Sequence, residues 1–371
     1  METDTFDVSV SAEEKEEMPQ IWNFSAGPGM LPRPVLEAVQ REFLDYRGLG
    51  ASIVEMSHRT HAVEAIVESL TDGLRGLLAI PEDFEIFFTQ GGGRTQFAMV
   101  PANLLRGKTG AYLVTGLWSA AALEEARRIG RAEAVVRTEG DVPDATECDW
   151  PDAAAYVYYC DNETVHGVEF SAPPMAPEGV PLVADMSSNF LTRPIDWSRH
   201  GVVWAAAQKN FAPAGLTVVI ARRDLLGGLL AHMPSMFDWA LYAREKSMPN
   251  TPPVFQLYIA DLVAKWVRSE GGVEEMHRRA LERSSLLYEA LDARPDLYVT
   301  NVARRARSRV NVPFALRNPD DLADFIAAGE REGFRQFTGH ASVGGLRVSL
   351  YNAMPLEGPR RFAEFLRARR P

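Results

Sequence analysis

The feature that most constrains the fold of this chain is the alternation of two hydrophobic periods. From Trp22 onward, apolar residues recur every three to four positions in some stretches and in short alternating or unbroken runs in others. A helix buries a stripe and a strand buries a face, so repeated switching predicts an α/β fold, with helices covering a mostly parallel mixed sheet. Pro32 and Pro34 open a helix whose apolar stripe is Leu36, Val39 and Phe43, and a second stripe runs through Val63, Ile66, Val67, Leu70, Leu74 and Leu77. Each helix is expected to bury its stripe. Strands are expected at 84–88, 111–115, 154–159, 181–185, 202–206 and 216–220. Several end at polar or glycine-rich turns, and in an open parallel sheet ligands bind outside the carboxyl ends of the strands.

After about residue 270 the texture changes: long helices at 273–292, 319–332 and 355–369 alternate with RVNVPF and GLRVSLY. With 371 residues, 46% of them hydrophobic, the chain can support more than one core. The expected organisation is an acidic, poorly ordered arm over 1–20, a large unit over 21–271 whose first residues are free to pack on its neighbour, and a smaller C-terminal α+β unit over 272–371.

The net charge of −11 disfavours a nucleic-acid partner, which needs a basic surface. Residues 1–17 hold seven acids against Lys15, a solvated stretch by composition. No apolar run approaches the roughly 20 residues of a membrane span, and residues 1–20 lack the pattern of an export signal, so a cytoplasmic protein without membrane partners is expected. Two cysteines, Cys148 and Cys160, make neither a disulfide framework nor a zinc site, and the seven histidines form no spaced cluster, so no metal is expected.

Lys209, in VVWAAAQKNFAPAG, stands just past a buried strand, where an ammonium must reach water or find a partner. Asp185 ends the apolar strand PLVAD, 24 residues upstream. A lysine amine that forms an imine and a carboxylate that keeps a pyridine nitrogen protonated are what pyridoxal 5′-phosphate demands. QGGGRTQF, after the strand FEIFF, supplies glycines at a helix start, a nest of N–H groups suited to a phosphate.

The stretches NFSAGPGMLP, SHRT, GGGRTQF, DNETVHG, ADMSSNFLTRPID, AQKNFAPAGLTVVI, NTPPVF, SRVNVPF and GHASVGGLRVSLYNAMP run in order from residue 23 to 355. In identity, order and spacing they resemble the phosphoserine aminotransferase family, class V aminotransferases of fold type I. The resemblance implies that Lys209 forms the Schiff base with the cofactor, that Asp185 partners the pyridine nitrogen, and that Trp118 stacks on the ring. It implies further that Thr164 contacts the ring oxygen and that Gly93, Arg94, Ser187 and Gln208 form the cofactor-phosphate pocket. Asn250 and Thr251 would reach the neighbouring subunit's cofactor, which implies a homodimer.

On the substrate side, the resemblance implies that Arg347 grips the α-carboxylate, a task suited to a planar guanidinium. His58, Arg59 and His340, helped by Arg94, would hold the substrate phosphate. The family's arginine after that histidine is Ala341 here. Either another basic residue, Arg335 or Arg47, reaches in, or the oxo acid carries a sulfonate, phosphonate or carboxylate group. The implied reaction moves an amino group from glutamate to 3-phosphohydroxypyruvate, giving 3-phosphoserine and 2-oxoglutarate for serine biosynthesis. A lyase or desulfurase on the same fold would keep Lys209 and Asp185 but need a mobile cysteine nucleophile.

Overall fold

The computed structural model describes residues 20–369, so the acidic arm expected before Gln20 lies outside the described residues. The chain enters through a short strand, β1 (Trp22–Asn23), and forms helices α1 (Arg33–Glu42) and α2 (His61–Leu77). α2 buries Val63, Ile66, Val67, Leu70 and Leu74, as its period requires. α1 does not bury the stripe expected of it. Val35 is buried, whereas Leu36 and Phe43 are 45% and 40% exposed. Glu42 lies on the inward side with Val35 and Val39, its carboxylate accepting the Tyr258 hydroxyl at 2.7 Å. Apolar periodicity passes over a glutamate that faces the protein.

The central sheet begins with β2 (Phe84–Gln90) and, after α3 (Gly93–Leu104), adds β3 (Thr109–Val114). After α4 (Leu117–Ile129) come β4 (Ala132–Arg137) and β5 (Ala154–Cys160). A small hairpin, β6 (Asn162–Glu163) with β7 (Val168–Glu169), leads to β8 (Leu182–Asp185), β9 (His200–Ala206) and β10 (Leu216–Arg222). The order across the sheet is β2-β10-β9-β8-β5-β3-β4, and β10 alone runs antiparallel to its neighbours. β4 is a strand that the apolar pattern does not announce. It is an edge strand with exposed Glu133 and Arg137, so charges break its run.

Alternate residues of each strand serve opposite faces. Ile86, Phe88, Leu113, Val157, Tyr159 and Val203 pack with α2 and with α6 (Val254–Ser269), which follows the short α5 (Trp239–Arg244). Phe87, Tyr112, Val114, Tyr158 and Trp204 pack on the other side with α3, α4 and α5. The remainder comprises α7 (Gly272–Asp292), β11 (Tyr298–Val299), β12 (Asn311–Leu316), α8 (Leu322–Arg331), β13 (Phe334–Arg335), β14 (Leu346–Ser349) and α9 (Glu357–Ala368). A third core gathers Phe314, Phe325, Phe334 and Phe362 together with Trp22 and Phe24, because β1 pairs in parallel with β13. α7 runs through two cores: Val273 and Met276 sit in the first, Leu287 and Leu291 in the third. No helix among the described residues is long and apolar enough to cross a membrane.

Candidate active site

Five parallel strands, β2, β3, β5, β8 and β9, end at the same edge of the sheet, and their next residues converge there. Beyond β9, the Lys209 ammonium donates to Thr164 Oγ1 at 2.6 Å and lies over the Trp118 ring at 5.5 Å from its centroid. Burial lowers the pKa of Lys209, opposed by the carboxylates of Asp185 and Glu163. Asp185, at the end of β8, is 5% exposed. Burial raises its pKa from 3.8 to about 6, while Lys209 and the hydrogen bonds from Ser187 act the other way. Register places Asp185 beside Cys160 on one neighbour and Trp204 on the other.

Ser187, expected in the phosphate pocket, lies against Asp185. Its hydroxyl donates to Asp185 Oδ1 at 2.6 Å and accepts the Ala206 N–H at 3.0 Å, and its own N–H also donates to Asp185 Oδ1 at 2.9 Å. In this arrangement the one O–H of Ser187 is directed at Asp185. The start of α3 is the candidate phosphate end. Among the described residues no side chain caps that helix, so the amides of its first two residues, Gly93 and Arg94, have no partner there and lie along a favourable dipole. α4, by contrast, is closed: its leading amides are taken by Glu163 and His166.

Two features at the site escape sequence reasoning. The turn before α1 lies against Lys209: a Cβ on Gly29 would sit 2.2 Å from the Lys209 carbonyl oxygen and 2.5 Å from the Tyr351 ring. Gly29 N–H donates to the Gln208 carbonyl at 2.8 Å, which fixes the backbone of the lysine segment. Glu163 is the second. It is fully buried in DNET, where polar composition alone reads as a turn.

Arg347, on β14, brings the C-terminal unit to the same place, its Nη1 donating to the Thr164 carbonyl at 3.3 Å. Its Nε has no partner among the described residues, and burial lowers its pKa. His340 Nδ1 is 2.8 Å from the Ser342 hydroxyl. His58 and Arg59 stand in the turn before α2, with no side-chain hydrogen bond to the Lys209 group among the described residues. Asn250 and Thr251 are exposed, and Asn250 Oδ1 accepts from Gln90 Nε2 at 3.0 Å near the end of β2. Arg335, one of the two arginines expected to compensate for Ala341, has its Nη1 held by the carbonyls of Glu330 and Phe334 at 2.7 and 2.8 Å. Arg47 lies over the Tyr46 ring, 5.1 Å from its centroid.

A half-buried lysine, a buried carboxylate on the next strand, an aromatic face and free amides at a helix start fit the amine-reactive carbon, ring nitrogen, ring face and phosphate of pyridoxal phosphate. This fold and donor set are those of a pyridoxal-phosphate enzyme, and residues 21–362 match the family model described as Aminotransferase class-V, which makes the chain a class V aminotransferase. The chain is 46% identical over 352 residues to a phosphoserine aminotransferase of Laribacter hongkongensis, covering 93% of this chain and 97% of the relative. Among solved structures, the phosphoserine aminotransferase of Bacillus circulans subsp. alkalophilus superposes with a TM-score of 0.90 at 40% identity, covering 94% and 97% of the two chains. That of Trichomonas vaginalis, solved with PLP bound, gives 0.90 at 37% identity, covering 94% and 99%. The chain belongs to the phosphoserine aminotransferase family.

Proposed function

We propose that this chain transfers the amino group of glutamate to 3-phosphohydroxypyruvate, forming 3-phosphoserine and 2-oxoglutarate, in the cytoplasm and as a homodimer. The observation that carries the reading is the Lys209, Thr164, Trp118 and Asp185 constellation with Arg347 against it. When bound, pyridoxal phosphate supplies an electron-accepting ring that lowers the cost of negative charge at the substrate α-carbon.

The residues do the rest. Asp185 holds a proton on the ring nitrogen. Thr164 binds the ring oxygen and Trp118 covers one face. Gly93, Arg94 and Gln208 hold the phosphate, with Asn250 and Thr251 contributed by a second copy. The exposed apolar residues Leu36, Phe43, Leu44, Leu49 and Val54 support that assembly, since such a run on one surface segment favours a partner. Arg347 grips the α-carboxylate of either amino acid. Lys209, whose neutral, proton-accepting form burial favours, carries the α-proton between substrate carbon and cofactor. His58, Arg59 and His340 bind the distal anion. The cysteines give the lyase reading no support: burial raises the pKa of both Cys148 and Cys160, which holds each as a protonated thiol.

A specific observation favours a second reading. Ala341 is exposed and carries no charge, and Arg335 Nη1 is engaged by the Glu330 and Phe334 carbonyls, so one charge-assisted contact to a phosphate ester is missing. The alternative is an oxo acid with a sulfonate, phosphonate or carboxylate end. A single-turnover titration of the cofactor-loaded protein decides between them, following the visible absorbance. Conversion by both glutamate and phosphoserine at submillimolar concentration is the expected result. Conversion by glutamate alone would redirect the assignment to another oxo acid, and conversion by neither would overturn it.

A further inference from the structure

Glu163 has no role in the reaction as described, yet it is a fully buried carboxylate at the centre of the site. It accepts three hydrogen bonds from the first turn of α4. The Trp118 N–H reaches Oε2 at 3.0 Å, and the Ser119 N–H and hydroxyl reach Oε1 at 2.8 and 2.6 Å. The Leu117 N–H goes to His166 Nδ1 at 3.3 Å, so two residues of one hairpin segment take the three leading amides of the helix. Charge-assisted bonds and the positive end of a 13-residue helix are what make a buried anion tolerable. The seat is shaped for it: a Cβ at Gly116 would lie 2.7 Å from Glu163 Cδ and 2.8 Å from His166 Nδ1.

The connectivity gives this cap a consequence beyond the helix. Glu163 fixes the backbone of Trp118, whose ring lies over Lys209, and it immediately precedes Thr164, whose hydroxyl receives Lys209. A cap supplied by any other part of the chain would hold α4 without tying those two residues to each other. We propose that Glu163 is a positioning residue of the reaction, locking the first turn of α4 to the β6–β7 hairpin so that Trp118 and Thr164 keep a fixed relation to the cofactor and to Lys209. The proposal rests on the cofactor roles given above to Lys209 and Trp118. It also carries a charge effect: the titratable groups facing Lys209 are Asp185, Cys160, Glu163 and Arg347, and the Glu163 carboxylate raises the proton affinity of the lysine.

The test uses Glu163→Gln and Ser119→Ala in the cofactor-loaded full chain. Glutamine offers one acceptor oxygen and turns an NH2 toward an N–H, so one charge-assisted bond is lost, worth roughly 10- to 100-fold if it is expressed in the transition state. The expected result is a folded protein with a weakened visible circular dichroism band of bound pyridoxal phosphate. The pH midpoint of its absorbance should fall by about half to one unit, because a neighbouring negative charge is gone. The value of kcat should fall about 10-fold or more while KM for glutamate stays within about twofold, since Arg347 is untouched. Ser119→Ala, which keeps the carboxylate, should move the dichroism and kcat the same way by less and leave the pH midpoint in place. In the cofactor-free protein, amide exchange at Trp118 and Ser119 should accelerate in Glu163→Gln. Unchanged dichroism, pH midpoint and kcat, even with a lower melting temperature, would reduce Glu163 to a helix cap and overturn the proposal. If Glu163→Gln does not fold, Ser119→Ala decides by the same dichroism and kcat. If the unaltered protein forms no cofactor band, the functional reading fails, and the amide exchange still decides whether Glu163 holds that turn.

Discussion

Replacing Asp185 by asparagine should stabilise the cofactor-free protein while impairing catalysis. Burial raises the Asp185 pKa from 3.8 to about 6. An acid raised in the folded state binds protons more tightly there than in the unfolded chain, so stability falls as pH climbs between the two values. The penalty is absent below about pH 3, reaches about 1.5 kcal/mol near pH 5, and levels off at about 3 kcal/mol above pH 7, from a shift of roughly two units at 1.36 kcal/mol each. Asparagine keeps the oxygen that accepts both Ser187 hydrogen bonds and carries no charge, so it should recover most of that penalty. Urea unfolding of both cofactor-free proteins at pH 5 and pH 8 reads the difference: the variant should gain about twice as much at pH 8. A gain equal at both pH values, or a loss at pH 8, would refute the reasoning. The same variant should show a large fall in kcat, because a neutral amide does not hold the pyridine nitrogen protonated. Stability and activity would then pull in opposite directions at one residue.

Two other sites give further tests. Arg347→Gln should lower kcat/KM by roughly 10- to 100-fold, the worth of a charge-assisted bidentate contact, for glutamate and phosphoserine alike because both present an α-carboxylate; a loss confined to one amino acid would contradict the assignment. Glu169→Gln should strip the charge partner from Arg309, which now meets it at 2.7 Å with both side chains largely buried, and cost roughly 3–5 kcal/mol in urea unfolding. Removing both charges should cost less than the sum of the single changes, and strict additivity would show that the pair does not couple the hairpin to the C-terminal unit.

Much of this protein is written locally. The strands at 84–88, 154–159 and 202–206 are near-continuous apolar runs because both faces of the sheet are covered, and such runs need no tertiary knowledge to find. Lys209 and Asp185 were legible because polar groups directly after such strands need a purpose. The edge strand Ala132–Arg137 was not legible, since an edge tolerates the charges that hide its pattern. The orientation of α1 was not legible either, because the partner of Glu42 on its inward side, Tyr258, lies 216 residues away in sequence. Ser187 illustrates the same limit at the site. A serine two residues after Asp185 suits a phosphate or a carboxylate equally well, and only the packing of β8 against β9 brings the Ala206 N–H to its oxygen and leaves its proton for Asp185.

The sequence by itself determined the α/β class, the strand ends where chemistry collects, the family and the residue types of the cofactor site, because periodicity and motif order are local properties of the chain. The tertiary structure decided which polar group meets which. It closed the start of α4 with Glu163 and His166 and left the start of α3 open, laid the Gly29 turn on Lys209, and brought Arg347 to Thr164 across 183 residues. Those pairings depend on directions and distances of a few tenths of an ångström between segments far apart in the chain, and no one-dimensional pattern contains them.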